Sequence, residues 1–249
     1  MGSFIKRHSL KGKTVWITGG KRIGQEIAAG LAELGADLVL SYRNSEKEAR
    51  EAAQKAKKSG SKVLVIQCDT ANRESVRKAV GGIKEKFKKL DILVLLASVF
   101  RPNKLEEISD KDWDVNTAVH IKGTFWPVQL ALPLMRPGSH VVAVSDRTAS
   151  GRVYPGYLPY VVTKGTVVSL VRGLAVELGP KGIFVNAVAP GPILKPDDIS
   201  EKEWAQIRSA SMIKYPLTDK EAVQEFVDTV LRLCFVRSSG AVYPLDLGL

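Results

Sequence analysis

Two residues in the second half of the chain have side chains and a spacing suited to proton transfer. The stretch "VSDRTASGRVYPGYLPYVVTKG" runs from Val144 to Gly165, and within it Lys164 follows Tyr160 by four residues. In a helix this spacing places the ammonium beside the phenol on one face. A cation held there favours phenolate over phenol and lowers the pKa of the tyrosine. The pair therefore indicates either a proton-transfer site or two surface residues that share a helix face by chance.

A glycine-rich turn near the start of the chain is suited to binding a pyrophosphate. The segment "TGGKRIG", Thr18 to Gly24, follows the apolar run "TVWIT" and leads into a helical pattern. Glycine allows main-chain N–H groups and the N-terminus of a helix to come close to phosphate oxygens. At the first strand-to-helix turn, such a segment indicates a dinucleotide site.

The second apolar run ends in residues suited to a 2′-phosphate. The segment "LSYRNS" has no acidic residue that could bind a ribose 2′-hydroxyl, and Asp37 lies too early, at the start of the run. Arg43, followed by Asn44 and Ser45, offers a guanidinium fork and a hydroxyl. These groups favour NADP(H) over NAD(H). Asn44 or Ser45 could also cap the next helix, and both interpretations can hold together.

Composition favours one soluble domain without a metal site. The chain has 249 residues, 45% of them hydrophobic, which is enough for one large core. It has no apolar run of about eighteen residues, so no membrane contact is expected, and we predict a cytoplasmic protein because no signal peptide is recognisable. Cys68 and Cys234 are too far apart to indicate a disulfide framework or a zinc site. His8, His120 and His140 have no metal-ligand spacing.

The basic charge is spread over predicted helix faces. The net charge is +11, but "KAKKSG" and "KEKFKK" lie on the polar sides of two helical patterns without interleaved aromatic residues. Aromatic residues are what stack on bases, so we expect solvated helix faces and no nucleic-acid partner. The charge could still favour a phosphorylated cofactor or an acidic carrier protein.

Seven apolar runs alternate with six helical patterns. The strand candidates are "TVWIT", "ADLVLSY", "KVLVIQC", "DILVLLA", "HVVAVS", "IFVNAV" and "AVYPLD". The helical patterns cover residues 21–34, 45–59, 72–88, 109–135, 158–179 and 218–233. Continuous apolar runs are typical of strands buried on both faces of a parallel sheet. We predict an α/β Rossmann fold with a doubly wound seven-stranded parallel sheet, forming a single domain over residues 1–249.

Residues 191–213 interrupt this alternation. The segment "GPILKPDDISEKEWAQIRSASMI" is a long excursion before the last helical pattern. Its position indicates either a mobile flap over a substrate site or an ordinary surface insertion.

Six short motifs resemble the short-chain dehydrogenase/reductase family along nearly the whole chain. They are "TGGKRIG", "CDT", "LDILVLLAS", "WDVNTAVHIKGTF", "YVVTK" and "NAVAPGPI", in the family's order. The resemblance implies that Tyr160 is the general acid and that Lys164 holds the nicotinamide ribose. It also implies that Asp69 lies beside the adenine and that residues 190–193 lie along the nicotinamide amide. Many members of this family are tetramers built through two long helices, so a homotetramer or a homodimer is expected.

The resemblance and the residue types together assign the site residues. The cofactor-binding candidates are Gly19, Lys21, Arg22, Ile23, Tyr42, Arg43, Asn44, Ser45, Asp69, Thr70, Ala97, Ser98, Tyr160, Lys164, Pro190, Gly191 and Ile193. The catalytic candidates are Tyr160, Lys164, Asp146, Ser145 and His120, and the substrate-binding candidates are Phe100, Arg22 and Asp146.

Within the family, several details resemble the pteridine reductases. Arg22 stands in place of the usual second glycine, and "SYRNS" looks like their 2′-phosphate segment. In "ASVFRPNKL", Ser98 looks like the serine that touches the cofactor and Phe100 like the ring that stacks on the pterin. Phe100 could equally be a core residue. A protonated or water-linked Asp146 could pass a proton to a ring nitrogen, which suits C=N reduction.

The chain also departs from the family pattern. Its glycine-rich loop is one residue shorter than usual, and "LLAS" replaces "NNAG" near the cofactor. Asp146 precedes Tyr160 by fourteen residues where thirteen are usual, so either Ser145 or Asp146 faces the site. His120 aligns with the asparagine that holds a water in the family. It could serve in a modified relay or be a histidine without a catalytic role.

Three functions remain open from the sequence. The first is an NADPH-dependent reductase of a C=O or C=N bond in a flat, pteridine-like or otherwise conjugated small molecule. The second is a 3-oxoacyl thioester reductase, for which the basic surface would attract an acidic acyl carrier protein. The third is a regulatory nucleotide-binding protein that kept the fold and lost turnover. Analogy of fold alone cannot choose among them.

Overall fold

The chain folds around one parallel sheet of seven strands. The computed structural model describes residues 8–19, 21–149, 151, 153, 155–195, 199–209 and 218–246. The strands are β1 (Thr14–Thr18), β2 (Asp37–Tyr42), β3 (Val63–Gln67), β4 (Ile92–Leu95), β5 (His140–Val144), β6 (Phe184–Pro190) and β7 (Val242–Leu245). Their order across the sheet is β3-β2-β1-β4-β5-β6-β7. All neighbouring strands pair in parallel, which confirms the predicted doubly wound sheet.

Helices follow the strands in alternation. They are α1 (Ile23–Glu33), α2 (Glu46–Lys58), α3 (Arg73–Phe87), α4 (Asp110–Asn116), α5 (Gly123–Ala131), α6 (Leu158–Leu178), α7 (Glu201–Ser209) and α8 (Asp219–Leu233). A π-helical turn, Thr117–Lys122, joins α4 to α5. Five of the six predicted helical patterns correspond to one helix each, while the pattern over 109–135 is divided by this turn.

Alternation of side chains along the strands builds two hydrophobic layers. In β1, Val15 and Ile17 point into the layer covered by α1, α2 and α8. Trp16 points the opposite way, into the layer covered by α3, α5 and α6. Because both faces of the central strands are buried, these strands read as continuous apolar runs.

The sheet order fixes where a ligand can bind. The chain winds outward from β1 to β3 and then crosses back to place β4 beside β1. A crevice opens at such a reversal, beyond the carboxyl ends of the strands. The glycine-rich turn after β1 and the segments after β4, β5 and β6 all lie at this end of the sheet.

Cys68 and Cys234 are both buried free cysteines, and burial raises the pKa of their thiols to about 11 and about 12. Among the described residues, no helix combines the length and apolar character needed to cross a bilayer.

Candidate active site

Asp146 and Tyr160 meet at the carboxyl end of β5. Asp146 lies in the turn directly after this strand, and Tyr160 lies in the first turn of α6. The Tyr160 hydroxyl donates to Oδ2 of Asp146 at 2.6 Å. Oδ1 of the same carboxylate accepts from the main-chain N–H of Thr148 at 2.9 Å. Both side chains are buried, so the two groups face each other in a region of low dielectric.

Ser145 points away from this contact. Its hydroxyl donates to the main-chain carbonyl of Lys164 at 2.9 Å, and the residue is buried. The side chain is therefore used to tie β5 to α6. Of the two candidates that the sequence left open, Asp146 is the one that faces Tyr160.

Lys164 is a buried cation on the same helix face as Tyr160. Its ammonium donates to the main-chain carbonyl of Val144 at 2.8 Å and lies 5.8 Å from the centroid of the Tyr160 ring. Burial lowers the pKa of Lys164 to about 8, although the nearby Asp146 carboxylate acts in the opposite direction. The lysine therefore places a positive charge behind the tyrosine at neutral pH.

His120 is bonded through both ring nitrogens. Nδ1 lies 2.8 Å from Oγ1 of Thr163, and Nε2 lies 3.0 Å from Oγ of Ser98. Nε2 also accepts from the main-chain N–H of Val99 at 3.2 Å. Burial and the charge of Lys164 lower the pKa of this imidazole to about 3, so the ring is neutral. Protein groups thus satisfy both ring nitrogens.

The glycine-rich turn is packed too closely for side chains. Gly19 has a φ of 80°, and a Cβ there would lie 3.1 Å from the main-chain nitrogen of Ala97. A Cβ on Gly24 would lie 2.7 Å from the carbonyl oxygen of Gly19. Ile23 begins α1 at this point, while Gly20 lies outside the described residues. The bare backbone at the start of a helix fits the close approach that a pyrophosphate requires.

Arg22 spans from this turn to the segment after β6. Its φ of 56° lies in the left-handed region, where glycine is favoured. Its guanidinium donates to the main-chain carbonyl of Lys195. Arg22 borders a cavity between α1 and α8, and it is not among the residues that line the cavity beside Tyr160. Its expected contact with substrate therefore has no support in this arrangement.

The end of β2 presents exposed polar groups to the same crevice. Arg43 and Asn44 are exposed, and Tyr42 is half-buried. The Lys21 ammonium lies 3.7 Å from Oε1 of Glu48 on α2. Ser45 occupies the N-cap position of α2, but its side chain makes no capping hydrogen bond. Ser45 therefore has the position of a helix cap without the hydrogen bond of one.

The segment after β3 forms a tight turn at the crevice. The Asp69 carboxylate accepts from the main-chain N–H of Ala71 at 2.9 Å. Thr70 is buried, and a Cβ on Gly123 would lie 2.9 Å from its hydroxyl oxygen. Thr70 therefore packs against the start of α5, and Asp69 shapes the turn beside it.

A mainly apolar cavity of about 510 Å³ opens in front of Tyr160. The Phe100 ring stacks on the Tyr157 ring at 4.3 Å and 14°, and meets the Tyr160 ring edge-on at 4.9 Å. Arg147 and Trp204 also line the cavity. Phe100 is therefore part of a wall of three aromatic rings.

The lining residues that the sequence interpretation missed include Tyr157, Arg147 and Trp204. Tyr157 precedes Tyr160 by three residues, so helical spacing could have placed it on the same side. Arg147 follows Asp146 directly, and Trp204 is the single aromatic residue of the segment 191–213. Their proximity in sequence to predicted site residues was the available signal.

The segment after β6 closes one side of the cavity. The N–H of Gly191 donates to the carbonyl of Leu245 at 2.9 Å, and a Cβ on Gly191 would lie 2.8 Å from Cα of Asp246. Pro190, Gly191 and the buried Ile193 line the cavity. This close packing leaves the main chain of the segment at the cavity edge.

The predicted flap over 191–213 contains the helix α7. Residues 196–198 and 210–213 lie outside the described residues. The indole N–H of Trp204 is 3.2 Å from both carboxylate oxygens of Asp219, and Arg208 forms an ion pair with the same carboxylate. These contacts attach α7 to the N-terminus of α8, with Trp204 facing the cavity.

The family described as Enoyl-(Acyl carrier protein) reductase matches residues 19–248. A 3-oxoacyl-[acyl-carrier-protein] reductase of Staphylococcus aureus is 32% identical over 235 residues, which cover 93% of each chain. A hydroxynaphthalene reductase-like protein of Metarhizium anisopliae is 34% identical over 199 residues, 79% of this chain and 73% of the relative.

A solved structure shares both the fold and the family's usual cofactor. It is a short-chain dehydrogenase of Burkholderia cenocepacia J2315 in complex with NADP, 31% identical, with a TM-score of 0.87 over 97% of this chain and 99% of the other. The fold, the order of the motifs and these similarities agree. The chain belongs to the short-chain dehydrogenase/reductase family of oxidoreductases.

Proposed function

We propose that this chain is an NADPH-dependent reductase of a C=O or C=N bond in a flat, conjugated small molecule. The observation that carries this proposal is the contact between Tyr160 and Asp146, which opens into an aromatic-walled cavity. A buried hydroxyl with a cation behind it is a suitable proton donor for the reduced product. The family to which the chain belongs supports oxidoreductase chemistry.

The residues around the crevice fit NADP(H). The bare backbone at Gly19 and Gly24 would receive the pyrophosphate, and Arg43 would bind the 2′-phosphate. Asp69 would lie at the adenine, and the main chain from Pro190 to Ile193 at the nicotinamide amide. The NADP-bound relative supports this choice of cofactor. When bound, NADPH supplies the hydride.

Tyr160 supplies the proton in this proposal. Its hydroxyl lies at the wall of the cavity, where a substrate oxygen or nitrogen would reach it. The Lys164 ammonium stabilises the negative charge that remains on the phenol oxygen after transfer. His120 holds the segment after β4 against α6, and so keeps Ser98 and Tyr160 in their relative positions.

The aromatic wall favours a flat substrate. The rings of Phe100, Tyr157 and Tyr160 form a surface on which a planar ring system can stack, a contact worth about 1 kcal/mol. The similarity to a hydroxynaphthalene reductase-like protein supports this class. A pteridine-like C=N substrate belongs to the same class. The residues that support this substrate are Ser98, Phe100 and Asp146.

A 3-oxoacyl thioester is the second candidate substrate. The relative from Staphylococcus aureus covers nearly the whole chain, and the net charge of +11 would attract an acidic carrier protein. In that case the cavity would take the acyl chain, and the rate would fall steeply with salt because exposed charge pairs are screened.

We further propose that the protein is a cytoplasmic homotetramer or homodimer of single-domain chains. Val162 and Val176 on α6 are 44% and 76% exposed. Gly165 and Gly173 lie on the same helix, and a Cβ at either would meet nothing within 4 Å. An apolar helix face without bulky side chains suits close packing against a second copy. The segment 191–213 would act as the substrate flap.

Parallel assays test the proposed function. NADPH oxidation is measured with a cyclic hydroxyaromatic ketone, a dihydropteridine and an acetoacetyl thioester. We expect turnover of a flat conjugated compound, and a loss of about 100-fold or more in Tyr160→Phe without loss of NADPH affinity. Tyr243→Phe is the matched control, because that hydroxyl contacts Ser238 instead. Turnover of the thioester alone favours the second candidate, and NADPH binding without any turnover favours a regulatory protein.

A further inference from the structure

The acceptor for the Tyr160 hydroxyl is a carboxylate. Oδ2 of Asp146 receives the phenolic hydrogen at 2.6 Å, and Oδ1 receives the N–H of Thr148 at 2.9 Å. Both carboxylate oxygens therefore accept a hydrogen bond. Asp146 is 8% exposed and Tyr160 is 7% exposed. Charge between two such buried groups is weakly screened.

Several other titratable or charged groups face this pair from the elements packed around it. They are Arg147 in the turn after β5, His120 in the π-helical turn, Tyr157 at the N-cap of α6 and Lys164 on α6. His120 is neutral and is bonded to Thr163 and Ser98. Lys164 and Arg147 carry positive charge and favour phenolate, whereas Asp146 favours phenol.

The Asp146 carboxylate is in direct contact with the phenolic oxygen of Tyr160, which is the atom that loses a proton. Removing the proton from Tyr160 would leave two anionic oxygens at about the present 2.6 Å separation. Two like charges at such a distance strongly oppose each other in a buried site. A neutral serine at this position would exert no such repulsion. The carboxylate therefore opposes the effect of Lys164.

We propose that Asp146 holds Tyr160 in its phenol form, which is the form that donates the proton in reduction. This inference rests on the proposed function. In reduction, hydride from NADPH adds to the substrate carbon while the Tyr160 O–H bond breaks and its proton moves to the substrate oxygen or nitrogen. Tyr160 is left as phenolate and regains a proton from water in the cavity. The repulsion from Asp146 favours that return.

The reverse reaction requires the opposite form of the tyrosine. Oxidation of an alcohol needs phenolate to accept the hydroxyl proton while hydride passes to NADP⁺. Asp146 makes this form scarce at neutral pH. We therefore expect the oxidation rate to rise with pH. The rise should end at a more alkaline pH than it would with a neutral residue at position 146.

The first test titrates Tyr160 directly in the cofactor-free protein. Tyrosinate is followed by ultraviolet difference absorbance against pH, and the signal of Tyr160 is isolated by subtracting the Tyr160→Phe counterpart of each protein. In Asp146→Asn we expect the Tyr160 midpoint to fall by about one pH unit or more. Asp114→Asn is the control, because it removes one exposed carboxylate elsewhere and should leave the midpoint unchanged. An unchanged Tyr160 midpoint in Asp146→Asn overturns the inference.

The second test follows the oxidation rate against pH at saturating alcohol and NADP⁺. The midpoint of the rise in rate should lie about one pH unit lower in Asp146→Asn than in the wild-type protein. Asp146→Ser serves as a second neutral variant if the asparagine protein folds poorly. A midpoint that stays constant or rises contradicts the inference. Absence of turnover in the wild-type protein contradicts the proposed function instead, and the titration distinguishes the two failures because it needs no substrate.

Discussion

Nδ1 of His120 lies 2.8 Å from Oγ1 of Thr163, the residue that precedes the buried Lys164. The other ring nitrogen holds Ser98 and the main chain of Val99. One neutral imidazole thus joins the segment after β4 to the helix that carries Tyr160. The π-helical turn around His120 accompanies this contact, as is frequent where a helix serves a functional site.

Replacing His120 should therefore reduce stability as well as activity. In His120→Leu, the N–H of Val99 loses its acceptor, and we expect a loss of about 1 to 3 kcal/mol in the free energy of unfolding. His120→Asn retains one amide acceptor and should lose less. Chemical denaturation of the three proteins measures this effect. Equal stability of the leucine variant and the wild type would contradict the proposed positioning role.

Stability should fall as the solution becomes acidic. Burial lowers the pKa of His120 to about 3 and that of His140 to about 4. Both values lie below the ordinary pKa of 6.5. At a pH between each lowered value and 6.5, the unfolded chain therefore binds more protons than the folded chain. The stabilisation is complete above about pH 6.5 and is lost as the pH falls, by up to about 1.4 kcal/mol per pH unit for each group.

Unfolding free energies at pH 7 and pH 5 measure this dependence. The pH dependence should be smaller in His140→Leu, because that variant lacks one of the two groups. The charge of Lys13 also lowers the pKa of His140. Lys13→Gln should therefore reduce the pH dependence by a smaller amount. A variant with the same pH dependence as the wild type would show that His140 does not contribute.

Arg43 should decide between the two nicotinamide cofactors. Because a guanidinium in contact with a phosphate contributes about 1.5 to 3 kcal/mol, Arg43→Ala should weaken NADPH binding by at least about tenfold. NADH binding should change little, since NADH has no 2′-phosphate. Fluorescence titration with both cofactors measures this difference. Lys47→Ala, a nearby exposed cation on α2, is the control, and equal losses in both variants would indicate a general charge effect.

Asp219 should influence substrate binding through α7. Its carboxylate holds the indole of Trp204 and the guanidinium of Arg208. Asp219→Asn should weaken the attachment of α7 by about 1 kcal/mol, which corresponds to about a fivefold rise in KM. We expect kcat to change less, because Tyr160 and Asp146 are untouched. Glu225→Gln on the exposed side of α8 is the matched control. A fall in kcat at constant KM would contradict a role limited to the cavity wall.

Local pattern was enough to predict the secondary structure of most of the chain. The central strands are buried on both faces, so their apolar runs are continuous, and the strand bounds differ little from those predicted. The helix α7 was not predicted, because it is short and polar and buries only Trp204. The π-helical turn could not be predicted either, since its residues follow the same helical periodicity as their neighbours.

The site was only partly predictable. Tyr160 and Lys164 stand four residues apart on one helix, so their shared face follows from helical geometry alone. The stacking of Phe100 on Tyr157 joins residues from two distant segments, and no local pattern indicates such a contact. The same holds for His120, whose partners lie after β4 and on α6.

The sequence by itself determined the glycine-rich turn and the pairing of Tyr160 with Lys164, because each depends on spacing within a short segment, and it determined the parallel sheet through the alternation of apolar runs with helical patterns. Only the tertiary structure decided that Asp146, and not Ser145, faces the phenol. Adjacent side chains after a strand point in different directions, and the direction of each is set by how β5 packs against α6. That choice placed a negative charge at the hydroxyl, where a serine would have placed none.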